Sequence, residues 1–318
     1  NTIKNADSDG IRLDNSDDNI ISNNTIEDNG NSGIYIDGDT NVDSDDNQIR
    51  DNIIEDNGNY GVYIHYADGN SVIRNIISEN GNGGYAAGIF LKEVDDTMIA
   101  NNTIKNNDDS GIYIMGSGSN DNVIKHNNIT GNDDYGIYSL KSVDARYNWW
   151  GDAGGPFGDA NTINNLSLVK ISPWLAYPVG TDPMHYVWFV QDGEIIQDTI
   201  DNATSGDYIR VWAGTYNEDL EIDKMLTLIG NGTTSSIING TGTSNTDAVK
   251  ITADWVNLSG FKIQNSGRNG IFIEDSDHVT ISGNNVTDSY NEGIYIEDSD
   301  YNTIKDNKFA ENRFNGIY

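Results

Sequence analysis

The sequence predicts an all-β fold: a right-handed parallel β-helix, a solenoid with coils of about 23 residues and three short strands per coil. Three observations predict it. A Gly–Ile/Val–aromatic–aliphatic tetrad recurs along the chain, and two shorter apolar units separate successive tetrads. The Asn, Asp, Gly and Ser turns between these units are too short for a crossover helix.

The tetrad reads Gly33-Ile34-Tyr35-Ile36, Gly61-Val62-Tyr63-Ile64, Gly88-Ile89-Phe90-Leu91 and Gly111-Ile112-Tyr113-Ile114, then Gly270-Ile271-Phe272-Ile273 and Gly293-Ile294-Tyr295-Ile296. Looser copies start at Gly10, Gly136 and Gly316. The glycines at 10, 33, 61, 88, 111 and 136 are 23, 28, 27, 23 and 25 apart, and those at 270, 293 and 316 are 23 apart. The intervening units are of the type Asn19-Ile20-Ile21-Ser22 and Asn24-Thr25-Ile26-Glu27. Alternation within a strand sends Ile34 and Ile36 inward and Tyr35 outward. Coils stacked at ~4.8 Å turn every sequence column into a ladder. Asn29, Asn57, Asn80, Asn107, Asn132 and Asn312 form one column, expected to bond the backbone and the next amide and to tolerate a left-handed backbone. A narrow core with one Ile stripe per strand explains an apolar fraction of only 36%.

The pattern breaks in the middle. Tyr147-Asn148-Trp149-Trp150-Gly151 leads to Gly154-Gly155-Pro156 and then to Ser172-Pro173-Trp174-Leu175. After Pro178 and Pro183 comes a different beginning: positions 195, 196, 199, 200 and 203 fall at helical spacing, which predicts a short capping helix near 194–203. Residues 147–177 read as the end cap of one β-helix and 184–230 as the start cap of another, since open solenoid ends carry unpaired strand edges. The expected division is therefore 1–178, the C-terminal part of one β-helix, and 179–318, the start cap and first coils of a second.

The stretch IIQDTIDNATSGDYIRVWAGTYNEDLEIDKMLTLIGNG, Ile195 to Gly232, resembles the opening of NosD-like proteins, within the pectin-lyase-like class of carbohydrate-binding and sugar-hydrolase β-helices. The Asn-Trp-Trp-Gly, Gly-Pro and Ser-Pro-Trp-Leu pattern resembles the closing segment of archaeal and bacterial cell-surface versions. The resemblance spans the chain and implies the fold. It implies no single function, because that fold hosts lyases, hydrolases, surface proteins and adhesins. In that class the order is start cap, coils, end cap; here coils come first. The chain, which opens inside a repeat, is expected to be a window from tandem β-helices or a unit that assembles end to end.

Composition excludes several classes of function. Fifty acidic against 18 basic residues give a net charge of −32, unsuited to nucleic acid or anionic membrane surfaces. The absence of Cys removes disulfides, thiolate metal sites and cysteine nucleophiles. No apolar run approaches the ~18 residues of a membrane span.

The resemblance to pectin-lyase-like hydrolases implies paired Asp on adjacent coils, a Gly-His and an Arg-x-Lys that grips a uronate. The chain has no Arg-x-Lys, and none of His65, His126, His185 and His278 adjoins Gly. Arg50, Arg74 and Arg268 read as isolated. Asp275/Asp277 and Asp298/Asp300 have the chemistry for acid–base glycoside cleavage. They share a turn column with Asp17, Asp18, Asp45, Asp46, Asp95 and Asp96, however, which favours a turn role. No catalytic residue is assigned, and the balance leans away from an enzyme. Asp37, Asp39, Asn41, Asp43 and Asp45 place oxygens at every second position, a candidate calcium-stiffened turn that lacks the Gly and final Glu of an EF-hand. Calcium is the one cofactor expected.

Tyr35, Tyr63, Phe90, Tyr113 and Tyr138 form an outward aromatic ladder, continued by Phe272, Tyr295 and Tyr318; such a stripe covers strand surface, meets a protein or platforms sugar rings. Among nine Asn-x-Ser/Thr sequons, Asn165, Asn202 and Asn239 lie outside the expected ladders and are the glycosylation candidates. The leading expectation is an extracellular structural module of a surface layer, appendage or filament, with 302–318 of one copy joined to 1–13 of the next. The alternative is a carbohydrate-binding or polysaccharide-processing β-helix whose partner is a surface polysaccharide. A NosD-like periplasmic maturation factor ranks last.

Overall fold

The computed structural model describes residues 1–39, 44–82, 86–157, 161–181 and 183–318. Contacts divide the chain into two units, Asn1–Met184 and His185–Tyr318.

In the first unit each coil supplies one strand to each of three parallel sheets. One repeat runs Thr25–Glu27, Ser32–Asp37 and Gln48–Arg50, and the next runs Ile53–Glu55, Tyr60–His65 and Ser71–Ile73. Coils add in register as far as Tyr135–Ser139, where the pairing with Thr162–Ile163 shifts between Tyr135 and Ile137, so like residue types stack. Ile26 lies beside Ile54, which lies beside Ile77. Ile49, Val72 and Ile99 form a second column, and Ile34, Val62 and Ile89 a third. These side chains are all but fully buried. Each contributes roughly 1.5–3 kcal/mol of apolar burial, which a core one side chain wide needs from every coil.

Between strands the chain turns by a repeated two-residue device. The second residue is the predicted ladder Asn: Asn29, Asn57, Asn80, Asn107 and Asn132 are buried, and each side-chain amide donates to the Oδ1 of the next at 2.9–3.0 Å. A parallel column runs from Asn24 through Asn52, Asn75, Asn102 and Asn127 to Asn148. The left-handed backbone expected of these asparagines falls instead on the residue before them. Asp28, Asp56, Glu79 and Asn106 have φ of 52–57°, whereas the asparagines that follow do not. The turn needs its first residue to reverse the chain and its second to point inward, so the two roles separate.

The Asn148-Trp149-Trp150-Gly151 segment closes the first unit chemically as well as spatially. Asn148 is the last rung of its column, donating to Ile124 O and Ala145 O at 2.7 Å. Trp150 and Trp174 are buried beside it, and the Trp174 indole N–H donates to Ala153 O at 3.1 Å. Gly155, with φ of 85°, leaves room for the Trp174 ring 2.7 Å from where a Cβ would stand.

The second unit repeats the three-sheet plan from Tyr186–Val190 and Tyr208–Val211 to Thr303–Lys305 and Lys308–Ala310. Its helix covers Ile196–Asn202 and buries Ile196 and Ile200. Ile195 is extended and 53% exposed, so it stands outside the helical stripe assigned from sequence spacing. The helix start has no side-chain cap of its own. Glu218, from the neighbouring coil, accepts the N–H groups of Ile196 and Gln197, both at 2.9 Å. Asp207 is fully buried and accepts Tyr186 N–H, Trp188 Nε1–H and Thr204 N–H at 2.9 Å each, and the Thr204 hydroxyl at 3.1 Å. That single carboxylate ties the first strand of this unit to the turn after its helix. Among the described residues no helix is long and apolar enough to cross a membrane.

Candidate functional site

The outward aromatic ladder exists. Ring centroids lie 4.6 Å apart for Tyr35–Tyr63, 4.9 Å for Tyr63–Phe90, 5.0 Å for Phe90–Tyr113 and 4.8 Å for Tyr113–Tyr138. Tyr60 packs against both Tyr63 and Phe90, and Phe90 and Tyr113 are buried even though they point away from the solenoid core. The Arg12 guanidinium covers Tyr35 at 4.3 Å. Burial, with the charge of Asp37 beside it, drives the Tyr35 phenol far up, and burial pushes the Tyr63 phenol up to about 12. Most of this ladder spends its faces on its own neighbours.

Of the calcium candidates, Asn41 and Asp43 lie outside the described residues. Asp37 holds Arg12 at 3.0 Å on Oδ2 and His65 Nδ1 at 3.0 Å on Oδ1. Asp45 Oδ1 accepts Asp68 N–H at 2.7 Å, and Asp39 makes contacts of its own.

The acidic turn column resolves into a hydrogen-bonded ladder. Asp17 Oδ1 accepts Asp45 N–H, Asp68 Oδ1 accepts Asp95 N–H, and Asp95 Oδ1 accepts Asn120 N–H, all within 2.6–2.9 Å. In the second unit Asp254 Oδ1 accepts Asp277 N–H and Asp277 Oδ1 accepts Asp300 N–H, while Asp275 and Asp298 occupy left-handed turn positions. These Asp pairs are turn residues. Among the described residues no group of three His, Cys, Asp or Glu side chains converges as a metal site would require.

Of the sequon residues, Asn165 is exposed and accepts the Ser167 hydroxyl and N–H. Asn202, exposed at the helix end, donates to Asp198 O. Asn239 is itself a rung, bonded to Asn217 at 2.7 Å and Gln264 at 3.0 Å, although its sequence position suggested a place outside the ladders.

The structure brings other residues together where column reading found nothing. In the second unit a groove of about 630 Å³ runs along the strands Leu220–Ile222, Val249–Ile251 and Ile271–Glu274, beside the helix. Arg268, isolated in sequence, grips the buried Asp247 with two bonds, Nε to Oδ1 at 3.0 Å and Nη2 to Oδ2 at 2.8 Å. Its guanidinium lies 4.5 Å from the ring centre of Phe272. Lys250, whose Nζ is 5.9 Å from the same ring, pairs with Glu274 at 2.7 Å, and that bond raises the Lys250 ammonium above its ordinary value. Asp201, Asp219 and Glu221 complete an acidic rim, so five carboxylates face two cations. The partners sit on diagonals, Asp247 to Arg268 and Lys250 to Glu274, because Lys250 stands directly opposite Phe272. Their signal in the sequence is opposite charge one coil on and one or two residues aside, not identity within a column.

A family model described as "Right handed beta helix region" matches residues 1–147 and 234–318. The chain belongs to the right-handed β-helix family. No curated protein matches this right-handed β-helix in sequence. Among solved structures it is similar to tailspike protein 3 of bacteriophage CBA120, with 11% identity over 89% of this chain and a TM-score of 0.26. The chain spans 42% of the tailspike's length. It is also similar to the A-module of a mannuronan C-5 epimerase from Azotobacter vinelandii, with 15% identity, all of this chain, 78% of that one and a TM-score of 0.25. For an alginate lyase from Paenibacillus sp. str. FPU-7 the values are 13%, 94%, 99% and 0.28.

Proposed function

We propose that this right-handed β-helix is an extracellular polysaccharide-binding module and that the groove over Phe272 holds the sugar chain. The observation that carries this reading is the pair of anchored cations. Asp247 fixes Arg268 and Glu274 fixes Lys250 along a groove whose rim also offers the acceptors of Glu221, Asp201 and Asp219. Closely alternating donors and acceptors suit hydroxyl groups, which use both. The excess of carboxylates, on a chain of net charge −32, disfavours a polyanionic glycan and favours an uncharged one. Affinity electrophoresis through gels containing neutral polysaccharides or alginate tests this. The expected result is retardation by a neutral polymer, reduced in Arg268→Ala and in Lys250→Ala; equal migration in every gel rejects the reading.

The uninterrupted amide ladders support a second reading, a stiff structural module of a surface layer or filament joined to copies of itself. Sedimentation of the chain over a hundredfold concentration range separates the two, since a filament module grows with concentration. Calcium at 37–45 stands as a separate proposal supported by ligand spacing, and a melting temperature indifferent to chelator ends it.

A further inference from the structure

A second exposed feature of the same unit has no role in the groove. Trp255, His278 and Tyr301 are spaced by 23 residues and stack on one another at the edge of the solenoid. Ring centroids are 4.0 Å apart for Trp255–His278 and 5.1 Å for His278–Tyr301, with planes within 14° and 12° of parallel. Trp255 is 54% exposed and Tyr301 76%, so neighbouring side chains do not bury this ladder as they do the one at Phe90 and Tyr113. Met225, 39% exposed, occupies the same column one coil earlier.

All three rings sit on left-handed backbone, with φ of 61°, 59° and 58°. The matching turn of the first unit carries Asp18, Asp46, Gly69, Asp96 and Asp121, residue types that adopt this conformation easily. A bulky ring at such a position is less common than Asp or Gly, and here three stand at successive coils. Beside them, Asp254 and Asp277 each commit one carboxylate oxygen to the next coil's N–H, which leaves the other oxygen as an acceptor.

We propose that Trp255, His278 and Tyr301, with Asp254 and Asp277, form a binding strip for an uncharged polysaccharide laid parallel to the solenoid axis. Because the rings stack face to face, the strip presents their C–H edges and polar tips, the indole N–H, an imidazole nitrogen and the phenol, at coil-spaced intervals. The row of carboxylates accepts sugar hydroxyls and repels polyanions. The ligand class rests on the proposed function, but the residues are separate from the groove.

The test titrates the 318-residue chain with a soluble mixed-linkage β-glucan and with alginate. It compares wild type with Trp255→Gly/Tyr301→Gly, with His278→Gly, and with the groove variant Lys250→Ala. Glycine accepts the left-handed turn, so the strip variants are expected to melt no lower than wild type while binding the glucan at least tenfold more weakly, with no alginate binding throughout. Wild-type affinity in the strip variants overturns the strip, and loss in Lys250→Ala alone then leaves the groove reading standing. Loss in the strip variants alone upholds the strip and removes the groove. A marked fall in the melting temperature of both strip variants shows that the rings only cover the turn and overturns the proposal. Failure of wild type to bind the glucan overturns both sites.

Discussion

Asn80 receives two hydrogen bonds from Asn57 on a single buried carbonyl oxygen, one from the backbone N–H at 3.2 Å and one from the side-chain amide at 2.9 Å. Its own amide nitrogen lies 3.0 Å from each of Ile54 O, Ser78 O and Asn107 Oδ1, which share its two hydrogens. One side chain therefore satisfies polar groups on three coils. Asn80→Ala strands several of them in the dry interior and is expected to lower stability by roughly 2–4 kcal/mol. Urea unfolding measures it, and a loss under about 0.5 kcal/mol would mean that water replaces the rung.

Glu79, immediately before that rung, has φ of 57°. Asn tolerates this conformation better than Glu, so Glu79→Asn is expected to stabilise the protein by up to about 1 kcal/mol. Asp56 supplies a second readout. Burial and then the neighbouring charge of Glu79 raise its carboxyl, so the substitution is expected to bring that carboxyl part of the way down. Carboxyl titration followed by NMR checks this.

The sequence made the solenoid legible because each tetrad is nearly a copy of the last and stacking adds like to like. Gly33-Ile34-Tyr35-Ile36 and Gly61-Val62-Tyr63-Ile64 align in register as the spacing required. The Asn column was legible for the same reason, but its left-handed residue was placed one position late, since sequence alone does not separate the two jobs of a two-residue turn. The groove was not legible: Asp247–Arg268 and Lys250–Glu274 are diagonal pairs, and diagonals depend on side-chain reach as well as register. The Trp255, His278 and Tyr301 strip was legible in principle from its period of 23, but its three rings differ in type and lie outside the tetrad.

The start of the second unit depends on Asp207. Asp207→Ala removes the acceptor of three N–H groups and a hydroxyl and is expected to cost roughly 2–4 kcal/mol, freeing Tyr186–Val190 before the coils beyond it. Limited proteolysis checks the order of release. Early cleavage within 271–297 rather than near 186–190 would contradict it.

Stability is expected to pass through a maximum on acidification. Asp56 and Asp109 have carboxyls raised above the ordinary range, chiefly by burial, so their stabilisation is full below the unfolded value and is lost as pH rises through the raised one. Asp51, held down by Arg74, Glu93, held down by the N–H of Gly118, and Asp144, held down by Arg146, act oppositely. Their stabilisation is present above the unfolded value and is lost as pH falls through the lowered one. Melting temperature should therefore rise as pH falls through the raised carboxyls of Asp56 and Asp109 towards the ordinary carboxylate range, about 4, and fall below it. A steady fall from pH 7 to pH 4 would contradict this balance.

An uncharged polysaccharide held in the groove over Phe272 would shield the strands beneath it. Hydrogen–deuterium exchange of the 318-residue chain with and without a soluble mixed-linkage β-glucan tests it most directly. Slowed exchange is expected in Leu220–Ile222, Val249–Ile251 and Ile271–Glu274, with the first unit unchanged. Saturating glucan that leaves those strands untouched, or protects the Tyr35–Tyr138 face instead, would contradict it.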